Sequence, residues 1–324
     1  MNVLLIAGGW SSERDVSLSG GRGIHKALVE LGHTVTAYDP ALSLDGLMEA
    51  AQGKDFAFIN LHGSPGEDGL IQAMLERVGC PYQGANPAAS MLALNKAAAK
   101  VLFAGKNLNT APYRLLNELP DRDWQPMLGY PLFIKANTGG SSLHMEQVEK
   151  PADLRAALKR LFAVNTSYLV ESAVQGCEIT CGILGELHSG PHGPESPRAL
   201  PPILIKPASG KVFDYTSKYS PGGAEEICPA PIPDALTKKI QHMALTAHCA
   251  LGCEGYSRAD FIVPEPLDSE PVLLEVNTLP GMTPTSLLPQ EAAAIGLSFP
   301  DLIQRLMDLG LARAARNRQT GLQA

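Results

Sequence analysis

Tyr256-Ser257-Arg258-Ala259-Asp260-Phe261-Ile262-Val263 and, shortly after it, Val272-Leu273-Leu274-Glu275-Val276-Asn277-Thr278-Leu279-Pro280-Gly281 are the segments that decide the fold. Each alternates at period two, the spacing of a strand, so Arg258 and Asp260 share one face and so do Glu275 and Asn277. If the two strands pair, three oxygen-bearing side chains and one guanidinium meet at one spot. Hard oxygen ligands suit Mg²⁺, which binds through one or two carboxylates and completes its shell with phosphates. An arginine beside them suits charge that builds up on a transferring phosphoryl group. The pair of strands therefore reads as part of a site that uses ATP.

The rest of the chain can be tested against that reading. Its 324 residues give room for two or three domains. A net charge of −7 argues against nucleic acid or an anionic membrane as the main partner, so any phosphate must be held by local cations and backbone N–H groups. The opening run Met1-Asn2-Val3-Leu4-Leu5-Ile6-Ala7 has no basic residues and is too short to span a bilayer, so it reads as a buried strand. Cys80, Cys177, Cys181, Cys228, Cys249 and Cys253 lack Cys-x₂-Cys spacing with histidine context and read as reduced, mostly buried thiols.

Residues 1–86 alternate strand and helix signals: strands at 3–7, 34–38 and 56–61, helices at 19–31, 44–51 and 68–78. Parallel strands with right-handed crossovers follow. One helix is predicted over 87–104, then strands at 113–116 and 132–136, a helix at 151–163 and a strand at 167–171. The last third begins with a strand at 178–184. Irregular stretches follow at 189–202 and 212–233, the second long enough to be a lid. A helix at 234–251 precedes the two acidic strands, and a helix at 299–309 closes the fold. The arginine-bearing tail 311–324 reads as frayed.

Four more groups could carry chemistry. Gly8-Gly9-Trp10-Ser11-Ser12-Glu13 follows the first strand, where open parallel sheets bind ligands, and Glu13 could take an ammonium. His62-Gly63-Ser64-Pro65-Gly66-Glu67-Asp68-Gly69 follows the third strand at the same sheet edge. Lys135 leads into Asn137-Thr138-Gly139-Gly140-Ser141-Ser142, whose N–H groups can cradle phosphates, with Lys96 as a second cation. The lysine precedes the glycines, so this is not a Walker A loop. Lys218-Tyr219 lies in the long irregular stretch. Glu171 and Glu178 flank a connection between strands and by spacing alone read as solvated carboxylates.

Taken together, Gly-Gly-x-Ser-x-Glu13, His62-Gly-x-x-Gly-Glu-Asp-Gly, and Arg258-x-Asp260 with Glu275-Val-Asn277-Thr-x-Pro-Gly281-Met-Thr resemble the D-alanine–D-alanine ligases of the ATP-grasp superfamily. The resemblance covers nearly the whole chain. It implies an α/β and α+β fold: an N-terminal doubly wound parallel α/β domain (1–86), a central ATP-grasp domain (87–177) and a C-terminal ATP-grasp and metal-binding domain (178–310). It implies a cytoplasmic homodimer that joins two D-alanines for peptidoglycan through an acyl phosphate, using ATP and two Mg²⁺ or Mn²⁺ ions. It also implies roles. Glu13 binds the first ammonium, with His62 near it. Lys96, Lys135, Gly140, Ser141 and Ser142 hold the ATP phosphates. Glu171 meets adenine and Glu178 the ribose, while Asp260, Glu275 and Asn277 hold the ions. Arg258 and the N–H of Gly281 stabilise the tetrahedral oxyanion. Ser141 and Tyr219 link to Glu13 on closure, and Lys218, Ser286 and Leu287 line the second substrate site. The chain departs from the family pattern at Ala73, Ala136 and His144. The alternatives are a ligase with D-lactate or another D-amino acid as second substrate, or a non-catalytic ATP-binding relative. Tyr219 favours D-alanine over D-lactate.

Overall fold

A computed structural model describes residues 1–139, 145–186, 196–207 and 223–319. It builds three sheets, each with its own apolar cluster. The first sheet is parallel, in the order β2–β1–β3, from β1 (Asn2–Ala7), β2 (Thr34–Tyr38) and β3 (Phe56–Asn60). Val3 to Ile6 and all of β3 are buried, which is why those strands read as unbroken apolar runs: both faces are covered. Helices α1 (Arg14–Glu30), α2 (Leu47–Ala51) and α3 (Leu70–Arg77) connect and cover this sheet. Helix α1 starts five residues before the predicted position. Its first turn is fixed by Ser17, which accepts from Gly8 N at 2.8 Å, while Asn60 Nδ2 donates to Ser17 O at 2.7 Å. The C-terminal ends of β1 and β3 are thereby tied to the helix that follows Glu13.

Asn95 divides the predicted helix over 87–104 into α4 (Pro87–Leu94) and α5 (Lys96–Ala104). Its backbone is extended and its side chain accepts from Ala98 N at 3.1 Å, a cap that competes with helix continuation. The break puts Lys96 at the first position of α5, where its N–H donates to Asn137 O.

The second sheet is antiparallel, β4–β7–β5–β6, from β4 (Tyr113–Leu116), β5 (Leu132–Ala136), β6 (Glu146–Val148) and β7 (Tyr168–Ser172). Helix α6 (Pro151–Phe162) packs on it through Leu154, Ala157, Leu158 and Leu161, a 3.6-residue stripe. The third sheet runs β11–β10–β8–β12–β13, with β9 beside β8. Its strands are β8 (Cys177–Gly185), β9 (Arg198–Ala199), β10 (Ile203–Pro207), β11 (Ala224–Ile227), β12 (Gly255–Val263) and β13 (Val272–Asn277). Helix α7 (Asp234–Leu251) backs it. The short strands β9 and β11 fall within stretches expected to be irregular. Flanking prolines and few residues mask them in the sequence. Helix α8 (Leu287–Ala294), absent from the sequence reading, follows β13. All six cysteines are free, and Cys80, Cys181 and Cys253 are buried. No helix among the described residues is long and apolar enough to cross a membrane.

The last helix corrects an expectation. Helix α9 runs Phe299–Gln319, past the predicted end at 309, so the residues up to Gln319 are not frayed. Gly310, just past the predicted end, is a close-packing site: a Cβ there would lie 2.4 Å from Tyr82 O. Beyond it Arg313 is 4% exposed. It donates to Tyr82 O at 2.8 Å and to Gly84 O, and its guanidinium lies 4.2 Å from the Tyr82 ring centre. Arg316 bonds Glu186 at 2.9 Å and Glu254 at 2.7 Å. The helix thus fastens the first sheet's segment to the third sheet. Arg313→Ala removes a buried cation and takes the donor from the Tyr82 and Gly84 carbonyls. The expected loss is about 3 kcal/mol of unfolding free energy by urea titration, and a loss below about 1 kcal/mol would deny the clamp.

Candidate active site

The two acidic strands pair as the alternation requires. Arg258 lies opposite Asn277 and Asp260 opposite Glu275. Asp260 is the hub. Its Oδ1 accepts from Arg258 Nε at 2.8 Å and Thr180 Oγ1 at 2.7 Å; its Oδ2 accepts from Arg258 Nη2 at 2.8 Å and Asn277 Nδ2 at 2.9 Å. Burial works against the Arg258 charge, but the Asp260 carboxylate outweighs it and holds the guanidinium above its ordinary pKa. The register changes just after Asp260, so the strand is re-aimed immediately past the charged pair.

Lysines approach from the middle of the chain. Lys96 Nζ lies 3.3 Å from Glu275 Oε2 and donates to Gly139 O at 2.7 Å, joining the acidic strands to the glycine loop. Glu171, almost fully buried, is gripped from both sides: Lys100 reaches Oε1 and Lys135 reaches Oε2, each at 2.6 Å. Burial would push the Glu171 carboxyl up, but the two cations together bring it below its usual range. Burial pushes Lys100 down, while Glu171 holds Lys135 above its ordinary value against the same burial. Glu171 is therefore not the solvated carboxylate that spacing alone suggests. The sequence reading missed Lys100, although it follows Lys96 by four residues and so shares a helix face with it. Glu178 sits at the start of β8 opposite Ile262, partly buried.

The two loops at the edge of the parallel sheet converge. Glu13 is 7% exposed and His62 8%. Burial pushes the His62 ring down from its ordinary pKa, opposed by the Glu13 charge and by a hydrogen bond with the Leu279 backbone. His62 thus feels the charge of the first loop and meets the segment leading to Gly281. Glu67 is a second residue that the sequence reading left without a role. Its Oε2 accepts from Gly63 N at 2.6 Å. Burial and the charge of Glu13 push its carboxyl up to about 7, and it also feels Glu275 and Lys96.

At the start of α8, Ser286 Oγ accepts from Thr283 N at 3.0 Å and lies 2.7 Å from Thr283 Oγ1, while Leu287 is buried. Gly281 precedes this turn. Gly140, Ser141, Ser142 and His144, and the lid pair Lys218 and Tyr219, lie outside the described residues. The described residues thus bring Lys96, Arg258, Asp260, Glu275 and Asn277 together, join Lys135 to Glu171, and set Glu13 beside His62. Among them no three His, Cys, Asp or Glu side chains gather as a self-sufficient metal cage. Two carboxylates and the Asn277 amide, whose N–H group is turned to Asp260, could supply part of the oxygen shell of an ion whose remaining ligands are phosphates.

Comparisons with known proteins show the family. A family model described as D-ala D-ala ligase C-terminus matches residues 102–308. The D-alanine–D-alanine ligase of Nitratidesulfovibrio vulgaris strain Hildenborough is 60% identical over 316 residues, covering 98% of this chain and 100% of that protein. That of Oleidesulfovibrio alaskensis is 56% identical, with 98% and 99% covered. Among solved structures, a Bacillus anthracis D-alanine–D-alanine ligase complexed with ATP superposes with a TM-score of 0.84 at 29% identity, covering 98% of this chain and 99% of that one. A D-Ala:D-Ser ligase from Enterococcus faecalis gives 0.80 at 27%, with 95% and 99% covered.

The buried Glu67 carries a pH signature. Below pH 4.5 both folded and unfolded chains hold its proton. As pH rises from 4.5 to about 7 the unfolded chain ionises first, so folding stability falls through that window. Glu67→Gln removes this slope. Relative to wild type, the variant should gain about 3 kcal/mol between pH 4.5 and pH 7.5 in urea titrations; a constant difference would show that Glu67 ionises normally.

Proposed function

The chain belongs to the D-alanine–D-alanine ligase family, and from that premise we propose that it joins two D-alanines into D-alanyl-D-alanine for peptidoglycan, consuming ATP and forming a C–N bond. The observation that carries this reading is the intact group of Arg258, Asp260, Glu275 and Asn277 on paired strands, next to Lys96, in a chain 60% identical to a D-alanine–D-alanine ligase over nearly its whole length. A non-catalytic relative would have no need of a buried arginine held at this point.

The residues divide the work. Lys96 and Lys135, with the N–H groups around Gly140, Ser141 and Ser142, hold the phosphates, while Glu171 and Glu178 face adenine and ribose. Asp260, Glu275 and Asn277 would hold two Mg²⁺ or Mn²⁺ ions, which when bound neutralise phosphate charge. Glu13 takes the ammonium of the first D-alanine beside His62. A carboxylate oxygen of that D-alanine attacks the γ-phosphorus, ADP leaves, and an acyl phosphate results. The amine of the second D-alanine, oriented by Lys218, Ser286 and Leu287, attacks the acyl carbon and loses a proton; the tetrahedral intermediate then expels phosphate. Asp260 occupies two of the five N–H groups of Arg258, which leaves donors for the developing oxyanion together with the N–H of Gly281. The acyl phosphate must be kept from water, the role we assign to Ser141 and Tyr219 closing over Glu13. Family membership, rather than any surface of the chain, supports a cytoplasmic homodimer.

Phosphate release tests the reading. D-alanine alone should sustain release and yield dipeptide at neutral pH, and added D-lactate should not divert product to the depsipeptide. A preference for D-lactate would overturn the dipeptide assignment. Glu275→Gln should lower kcat on the order of 10²–10³-fold with the melting temperature little changed; retained activity would remove Glu275 from the site.

A further inference from the structure

Glu291, one turn into α8, is fully buried and has no role in the chemistry above. Its Oε1 accepts a hydrogen bond from Gly182 N at 2.8 Å. Its Oε2 has no hydrogen-bond partner among the described residues. A buried carboxyl is costly to keep, so its location bears on what it does.

That location is the face of the third sheet that carries the active site. Gly182 on β8 pairs directly with Arg258 on β12, and Thr180 pairs with Asp260. Cross-strand partners project to the same face. At Gly182 that face has no side chain: a Cβ would lie 2.3 Å from Glu291 Oε2 and 2.5 Å from Leu288 Cδ1. The space beside Arg258 is therefore filled by α8. Gly182 also lies where the edge of β8 changes partner, since Ile183 pairs with Ala199 of β9 and Thr180 with Ile203 of β10. The Gly182 C=O accepts from Leu200 N, and its N–H goes to Glu291. Four residues before Glu291, on the same side of the helix, is Leu287, and Ser286 precedes it.

We propose that Glu291 is a positioning residue: it pins the first turn of α8, with Ser286 and Leu287, to β8 opposite Arg258, and so sets the distance between the second D-alanine and the guanidinium that meets the oxyanion. This rests on the reading of Arg258, Ser286 and Leu287 given above. The hydrogen bond to Gly182 needs an acceptor and not a charge. Burial, with Asp260 adding to it, pushes the Glu291 carboxyl up to about 8, so a neutral amide is its natural substitute.

Two full-length variants test this. Glu291→Gln keeps the acceptor, and Glu291→Met keeps the length and burial but loses it. Kinetic constants for the two D-alanines are separated with the two-site rate equation, and the first half-reaction is followed alone by positional isotope exchange in labelled ATP. Met should raise KM for the second D-alanine about tenfold or more, leave the first-site KM, the ATP KM and the isotope exchange within about twofold, and melt only a few degrees below wild type, since one buried N–H loses its acceptor. Gln should restore the second-site KM to within about twofold of wild type. An unchanged second-site KM in the Met variant overturns the proposal, as does a parallel fall in every constant with a lowered melting temperature. Wild-type protein that makes no dipeptide overturns the underlying reading of the site, an outcome distinct from an active wild type whose Met variant is kinetically normal.

Discussion

The pairing of β12 with β13 is the constraint on which the site depends. Strand side chains alternate, so a slip of one residue would send Arg258 and Asp260 to the face packed against α7. The apolar residues between them prevent the slip. Ala259, Phe261, Leu273 and Val276 are buried in the cluster shared with α7, and their burial holds the charged residues on the opposite face. Phe261, Leu273 and Val276 each contribute roughly 1.5–3 kcal/mol when buried, and Asp260 is satisfied by its four hydrogen bonds. The register that buries the core is also the register that brings Arg258, Asp260, Glu275 and Asn277 together.

A second consequence is electrostatic. Buried charges persist only when paired, and the pairing here runs in a chain from one sheet to another. Arg258 is held by Asp260, Lys96 approaches Glu275, and Lys100 and Lys135 share Glu171. Lys100 contributes no direct contact to the chemistry as we read it. Without it Glu171 would balance Lys135 alone, and the second lysine keeps that carboxylate ionised inside the protein. The cluster thus holds its cations on a prearranged scaffold, in place of side chains that must order before they act.

Much of this was legible in the sequence because it rests on short-range rules. Period-two alternation put Arg258 with Asp260, and Glu13 and His62 stood at the ends of strands whose parallel pairing followed from the strand–helix pattern. What escaped notice depends on contacts far along the chain. Asn95 breaks a helix because its side chain caps the next one and its backbone meets Thr138. The last helix runs on past 309 because Gly310 lets it pack against Tyr82, far away in sequence. The carboxyls Glu67, Glu171 and Glu291 look alike in the sequence, yet their surroundings separate them: two lysines lower Glu171, while Glu67 and Glu291 have no such partner and rise.

The small residues explain how three separate clusters come to act at one place. A sheet carries chemistry on one face only if something covers the rest of that face, and a large side chain beside Arg258 would itself block the approach of α8. Gly182 removes that obstacle, and a helix bearing Ser286 and Leu287 then closes over the gap where β9 gives way to β10. Gly310 likewise lets α9 settle against Tyr82, so that Arg313 and Arg316 can hold the first sheet to the third. Both glycines trade backbone entropy for close approach. The edge of the first sheet that carries Glu13 and His62 and the acidic strands of the third lie on different layers, and His62 can reach the Leu279 backbone only while those layers are held together. Precision at the reacting atoms is therefore a property of the joints between sheets as much as of the charged residues themselves.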